Sequence, residues 1–276
     1  MPLGLSDNLF KRIIAAIALI PPVIAIIIVG DWWFKGLLVV GGIVMILEWF
    51  DMTKVPQRLI QGSAIAFILA IISYGSEVSG IRGIITPTVL ILGLPLLLVI
   101  ISLRTIDPND SDVWHTMRWA GNGTLYVALP LMSLAWLRGF EHGATFVFWT
   151  FLIVWATDIG GYVFGKSIGG PKLAPNISPN KTWSGLMGGM LLSAVSSLAL
   201  FYYLDYTNLS WIAAVSAVVA VVSQLGDLFE SAIKRLFNIK DSGGLIPGHG
   251  GILDRVDGLV FAAPVMAVII DNYPLF

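Results

Sequence analysis

The sequence predicts an all-α polytopic membrane protein of about nine transmembrane helices, forming one membrane domain over residues 1–276. The mean hydropathy is +0.85, and 57% of the residues are hydrophobic while only 12% are charged. In a typical globular domain about a quarter of the residues are charged. Apolar runs close to the ~20 residues that cross a bilayer as a helix recur along the whole chain. The loops between them are short, so no soluble domain is predicted.

The predicted spans follow one another along the chain at residues 13–29, 36–50, 59–75, 84–103, 121–137, 145–164, 184–204, 209–227 and 256–271. The first is interpreted as an uncleaved span, because no small-residue cleavage site follows it. Residues 1–120 carry few charges inside the spans and are predicted to be scaffold. Glu48 is the exception, and its place near the end of its span suggests an interfacial position. Residues 145–271 are predicted to hold the chemistry.

Positive charge predicts the orientation of the chain. Of the 16 Lys and Arg residues, all but Lys35, Arg82 and Arg138 fall on the side of the N-terminus. Because cytoplasmic loops are enriched in Lys and Arg, the N-terminus is predicted to be cytoplasmic and the C-terminus to lie on the opposite side of an inner membrane. The chain has no cysteine, which excludes disulfides, thiolate catalysis and iron–sulfur clusters. No nucleic-acid partner is predicted.

The densest polar stretch of the chain is residues 227–257. Asp227, Glu230, Ser231 and Lys234 are spaced to share one face of a helix, with Arg235 beside it. That helix is predicted to end near Asn238 and the chain to become helical again around Asp254, because glycine and proline fill the interval. Carboxylates bind hard cations, while cationic side chains and backbone N–H groups bind phosphate. The stretch therefore predicts a site for a metal and a polyphosphate.

A second polar cluster follows the sixth predicted span. Asp158 lies in an apolar run, and an acid at membrane depth costs at least ~2.5 kcal/mol, so it needs a partner or water. Residues 160–167 match the Walker A pattern letter for letter, but a true P-loop follows a buried strand in an α/β domain. We reject that interpretation and expect Lys166 to face phosphate by charge alone. Asn180 and Lys181, in the run SPNKTW that is predicted to begin the next span, offer donors for a phosphate or headgroup.

One long pattern within residues 231–257 is matched at every position. Its members are Ser231, Ile233, Lys234, Arg235, Lys240, Asp241, Gly243, Ile246, Pro247, His249, Gly250, Gly251, Ile252, Asp254, Arg255, Val256 and Asp257. This pattern resembles the signature of the phosphatidate cytidylyltransferases, also called CDP-diacylglycerol synthases, and the run SPNKTW resembles the same family. The resemblance covers about residues 145–271. It implies a homodimeric membrane enzyme that joins CTP to phosphatidic acid, releases pyrophosphate, and binds its lipid in a cleft at the inner interface.

The polar residues of the two clusters are expected to divide into metal ligands and substrate contacts. Asp227 and Asp254 are predicted to bind Mg²⁺ together, with a second cation left open. The triphosphate is expected to contact the cations of the signature and the backbone of its paired glycines: Lys234, Arg235, Lys240, Arg255, Gly250 and Gly251. Asp257 and Asp241 are expected to orient these cations. His249 either contacts the nucleotide or braces the loop. Asp158, Lys166, Asn180, Lys181 and Ser231 complete the predicted substrate-binding set.

Two other functions compete with cytidylyl transfer. A CTP-dependent kinase of a polyprenol-like lipid alcohol would use similar groups, but it would need a base beside the hydroxyl. A secondary transporter would explain Asp158 and the proline-broken spans, but transporters commonly show inverted repeats, and none is evident in this sequence. The complete signature favours transfer of a cytidylyl group.

Overall fold

The computed structural model describes residues 20–55, 111–244 and 250–273. These residues form helices and one small sheet, in the order α1 (Ile20–Val29), α2 (Asp31–Thr53), α3 (Ser111–Arg138), α4 (Gly143–Ser167), β1 (Lys172–Ala174), β2 (Ser178–Thr182), α5 (Trp183–Tyr203), α6 (Leu209–Leu236) and α7 (Leu253–Asn272). Every predicted span that reaches into the described residues is helical there. The predicted spans 59–75 and 84–103 lie outside them.

Four of the described helices, α2, α4, α5 and α6, are long and apolar enough to cross a membrane. A mostly helical chain with several such helices agrees with the predicted membrane protein. The count of nine spans and the sides of the two termini stay predictions.

The prediction of an all-α fold is wrong for residues 172–182. The run predicted to begin a helical span is instead strand β2, which pairs antiparallel with β1, so that Lys172 faces Thr182 and Ala174 faces Ser178. Pro175 and Pro179 explain the difference, because proline lacks the N–H that a helix interior needs and disfavours helix in the residue before it. Helix α5 then begins at Trp183, where the Thr182 side chain accepts a hydrogen bond from the Gly185 N–H.

The described chain divides into two compact units. Unit 1 comprises Met1–Gly139 with Asp241–Arg255, and unit 2 comprises Phe140–Lys240 with Val256–Phe276. The prediction of one membrane domain stays a prediction.

Unit 1 is built on the contact between α2 and α3. The Trp49 indole N–H donates to the Trp119 carbonyl over 2.9 Å, and its ring lies 4.8 Å from that of Tyr126. The chain breaks at Gly30, between α1 and α2, where φ is +74°. Arg138, at the end of α3, donates to the Ile27 carbonyl at this break over 3.0 Å. Because that carbonyl lies in the last turn of α1, Arg138 satisfies an acceptor that the helix itself leaves open.

Unit 2 is built on the close packing of α4 against α5. A Cβ atom added at Gly160 would lie 2.5 Å from the Gly188 carbonyl oxygen, so the two backbones approach as only small residues allow. Beside them, the Thr157 and Ser193 hydroxyls are 2.8 Å apart and both are buried. Polar contacts of this kind join membrane helices that gain little from hydrophobic burial.

The Walker A string lies wholly within α4, which runs from Gly143 to Ser167. A P-loop needs a strand, then an open loop, then a helix. The structure therefore confirms that residues 160–167 are not a nucleotide-binding loop of that type.

Candidate active site

The first cluster of predicted site residues lies in unit 2, between β2 and α6. The Lys181 Nζ atom is 2.5 Å from Asp227 Oδ2, and the two side chains are 16% and 24% exposed. The Nζ atom is buried and, among the residues that the structure describes, makes no hydrogen bond besides this ion pair. Since an ammonium group has three donors, Lys181 retains capacity for an anionic ligand. The Ser231 hydroxyl donates to the other Asp227 oxygen over 3.3 Å.

The polar face predicted for residues 227–234 is present on α6. The Lys234 ammonium donates to buried Glu230 over 3.0 Å, and Lys234 is itself buried. Asp227 lies on the same face but is not at a helix end, because α6 continues to Leu236. Lys234 therefore balances a neighbouring carboxylate, and its expected contact with the triphosphate stays a prediction.

Asp257 and Asp158 bring further negative charge to this cluster. Asp257, near the start of α7, lies close enough to Asp227, Glu230 and Asp158 for their charges to repel one another. The Gly258 N–H donates to Asp257 over 2.7 Å. Here α6 and α7 are in close contact, since a Cβ atom at Gly226 would lie 2.6 Å from the Asp257 carbonyl oxygen.

These acids fit a hard divalent cation in part. Oxygen donors and an excess of carboxylates over paired lysines suit Mg²⁺. Yet within residues 20–55, 111–244 and 250–273, no three acidic or histidine side chains are arranged to hold a metal by themselves. Mg²⁺ commonly takes one or two carboxylates and completes its shell with substrate phosphates and water. The donor set in unit 2 matches that kind of site.

The second cluster lies in unit 1 and centres on Asp254. Its Oδ2 atom accepts three hydrogen bonds, from the Ser242 N–H (2.8 Å), the Ser242 hydroxyl (2.9 Å) and the Gly251 N–H (2.9 Å). Gly250 has φ +78°, and a Cβ atom there would lie 2.6 Å from the same oxygen. Asp254 thus holds Ser242 and Gly251 in place before α7. The Gly251 N–H, which the sequence predicts to contact the triphosphate, already donates to Asp254.

Glu48 is the residue that sequence reasoning missed. It is 7% exposed on α2 and accepts hydrogen bonds from the Ile252 and Leu253 N–H groups, and it shares the single proton of the Ser242 hydroxyl with Asp254. The sequence predicts an interfacial side chain on a scaffold helix, whereas the carboxylate lies against residues 241–244 and 250–252, together called the signature loop. An acid inside an apolar run is costly and functional by default, so the argument made from the sequence for Asp158 identifies Glu48 as well.

The remaining predicted residues are not brought into either cluster by a described contact. Lys166 is exposed and donates to the Tyr162 hydroxyl over 3.3 Å, and exposed Arg235 donates to the Ile239 carbonyl. The other exposed members of this remainder are Asn180, Lys240 and Arg255, and Asp241 is exposed as well. His249 lies outside the described residues. Asp227 and Asp254 belong to different units, so their shared cation stays a prediction.

Comparison with known proteins gives a consistent result. Residues 10–273 match the model of the family described as "Cytidylyltransferase family". A "Phosphatidate cytidylyltransferase" of Brucella suis biovar 1 (strain 1330) is 37% identical over 268 residues, which cover 94% of this chain and 92% of that protein. A protein of the same name from Staphylococcus aureus (strain COL) is 44% identical over 152 residues, covering 52% of this chain and 58% of that protein.

Proposed function

The chain belongs to the cytidylyltransferase family, and from this we propose that it transfers a cytidylyl group from CTP to phosphatidic acid, yielding CDP-diacylglycerol and pyrophosphate. The observation that carries the proposal is similarity along nearly the whole chain to proteins with that activity in their name. The alternatives of a lipid-alcohol kinase and a transporter are not favoured by this similarity.

The reaction needs positioning and charge neutralisation more than a nucleophilic side chain. A phosphate oxygen of the lipid forms a bond to the α-phosphorus of CTP, while the bond from that phosphorus to the bridging oxygen of the β-phosphate breaks. The electron pair leaves with pyrophosphate. Three anionic groups meet in this step, so catalysis depends on nearby cations that are already in place.

In unit 2, Lys181 is the cation best suited to bind phosphate. Its Nζ atom is buried beside Asp227 and makes no other hydrogen bond to the described residues, so a bound phosphate oxygen could complete its shell without a large movement of the side chain. Each of the two lysines is paired with one carboxylate, but the Lys181 side chain is more exposed than that of Lys234, 16% against 9%, so a phosphate reaches it more easily. We therefore assign the phosphate contact to Lys181 before Lys234.

We propose Mg²⁺ as the cofactor, held by Asp227 in unit 2 and by Asp254 in unit 1, with a second cation left open. When bound, Mg²⁺ would lower the negative charge on the leaving pyrophosphate. The charge cluster of Asp227, Glu230, Asp158 and Asp257 supports a cation in unit 2. Asp254 already accepts three hydrogen bonds on Oδ2. It would therefore both hold the loop in place and bind the metal.

We also propose a homodimer in the inner membrane with its site on the cytoplasmic side, where CTP is available. The distribution of Lys and Arg supports this orientation, and the four long apolar helices support a multi-pass membrane enzyme.

The purified full-length chain, supplied with CTP, phosphatidic acid and Mg²⁺, tests the proposed function. We expect pyrophosphate and CDP-diacylglycerol in equal amounts. A parallel reaction supplies a polyprenol-like alcohol in place of phosphatidic acid, and release of CDP with the phosphorylated alcohol there would instead identify a kinase. Absence of any nucleotide turnover in a folded sample would contradict both enzyme functions.

A further inference from the structure

Glu48 is a buried carboxylate with no direct role in the proposed bond-forming and bond-breaking step. Its Oε1 atom accepts from the Ile252 N–H over 2.8 Å, and its Oε2 atom accepts from the Leu253 N–H over 2.9 Å. The first N–H belongs to the residue that precedes α7 and the second to the first residue of α7, and at a helix start such groups have no intrahelical acceptor. A side chain from α2, about 200 residues earlier in the chain, thus caps the helix that carries Asp254 and Arg255.

The signature loop is shaped to receive this carboxylate. A Cβ atom at Gly243 would lie 3.0 Å from Glu48 Oε1, and one at Gly251 would collide with both Glu48 and the Ser242 hydroxyl. The two glycines therefore let the backbone close on Glu48 from both ends of the loop. Their presence in the signature has a physical reason that involves a residue far outside it.

Ser242 links Glu48 to Asp254. The Ser242 hydroxyl oxygen is 3.2 Å from Glu48 Oε2 and 2.9 Å from Asp254 Oδ2, and its backbone N–H also donates to Asp254. A change at Glu48 would therefore disturb the hydrogen bond that Asp254 accepts from this hydroxyl. Glu48 and Ser242 together connect α2 to both ends of the loop, at residue 242 and at residues 251–253.

We propose that Glu48 is a positioning residue for cytidylyl transfer, which sets the signature loop for the CTP triphosphate through Ser242 and Asp254. This inference rests on the proposed function. A carboxylate buried in an apolar helix is costly, and an uncharged side chain could cap α7 at lower cost. The negative charge also strengthens each hydrogen bond that holds the loop.

The variant Glu48→Gln tests the proposal, because it keeps size but leaves one of the two α7 N–H groups facing an amide NH₂. We expect the KM for CTP to rise about 10- to 100-fold, the loss typical of partners that orient a site, with the KM for phosphatidate unchanged. A purely structural role would lower the amount of active enzyme and leave both KM values unchanged. Asp51→Asn is the matched control, since Asp51 is exposed on the same helix, and it should behave as wild type.

Ser242→Ala keeps the test decisive if Glu48→Gln does not fold. It removes the hydroxyl and leaves both backbone contacts of Glu48, so we expect a folded protein whose KM for CTP rises about 2- to 10-fold, equivalent to one neutral hydrogen bond. An unchanged KM for CTP in folded Glu48→Gln, or in folded Ser242→Ala, overturns the inference while leaving the proposed function intact. A wild-type chain that does not turn over CTP and phosphatidate overturns the proposed function first, and this inference with it.

Discussion

Replacing Asp254 with Asn separates two roles that one carboxylate fills. Oδ2 accepts three hydrogen bonds, two from Ser242 and one from Gly251. An Asn side chain can present its oxygen at the same place and keep all three donors, but without the negative charge. Charge-assisted hydrogen bonds exceed neutral ones by roughly 1 kcal/mol each, so the loop should lose about 1–3 kcal/mol of stabilisation, because the three bonds share one acceptor and are not additive.

Loss of a metal ligand should raise the activation free energy by more than the loop loses in stabilisation. Removing one group that stabilises the transferring phosphate should cost roughly 3 kcal/mol or more in the transition state, at least about 100-fold in rate. Asp227→Asn should show a similar loss, and it also leaves the buried Lys181 Nζ atom without its counter-charge. Asp241 is exposed and is not expected to bind the metal, so Asp241→Asn should lose less.

The assay is CTP turnover against Mg²⁺ concentration for the three Asn variants at matched expression, with thermal unfolding in detergent measured in parallel. A metal role predicts that Asp227→Asn and Asp254→Asn need more Mg²⁺ and stay at least 100-fold slow at saturation. A loop role alone predicts a lowered unfolding temperature for Asp254→Asn and an unchanged Mg²⁺ dependence. The reasoning is refuted if Asp227→Asn or Asp254→Asn keeps more than about a tenth of wild-type activity at saturating Mg²⁺, or if Asp241→Asn is the slowest of the three.

Three further predictions concern topology, the Walker A string and helix packing. Reporter fusions after residues 170 and 276 should report opposite sides of the membrane, and the same side for both would contradict the orientation. Ser167→Ala should keep substantial activity and ATP should not replace CTP, because Ser167 ends a helix and not a P-loop; near-complete inactivation with loss of metal affinity would restore the P-loop interpretation. Gly160→Ala should destabilise the protein by about 1–3 kcal/mol, because its Cβ atom would meet the Gly188 carbonyl. The control Gly36→Ala, which meets nothing within 4 Å, should be neutral or slightly stabilising in the same unfolding measurement, and an equal loss in both would refute the packing argument.

Much of the secondary structure follows from local chemistry that can be read along the chain. The end of α6 at Leu236 and the start of α7 at Leu253 lie within two residues of the predicted positions, because the interval between them is dense in glycine and also contains a proline, a composition that favours a loop. The shared face of Asp227, Glu230, Ser231 and Lys234 follows from the helical repeat alone. The membrane class follows from composition, and the family from a motif of fixed order.

The hairpin at residues 172–182 was also within reach of local reasoning, since Pro175 and Pro179 disfavour the helix that apolar character suggested. The apolar span that follows predicts a helix that begins with the polar run SPNKTW. The chain instead turns back on itself before Trp183, and this brings Lys181 to Asp227.

Only the tertiary structure decided which charges meet. Sequence spacing shows which residues share a helix face, but it contains no information on contacts between elements far apart in the chain. Lys181 and Asp227 pair across 46 positions (227 − 181), and Glu48 reaches Leu253 across 205. Burial then determines what each charge does, because a buried carboxylate must find hydrogen-bond donors wherever the fold supplies them. For Glu48 those donors are the Ser242 hydroxyl and the first N–H groups of α7.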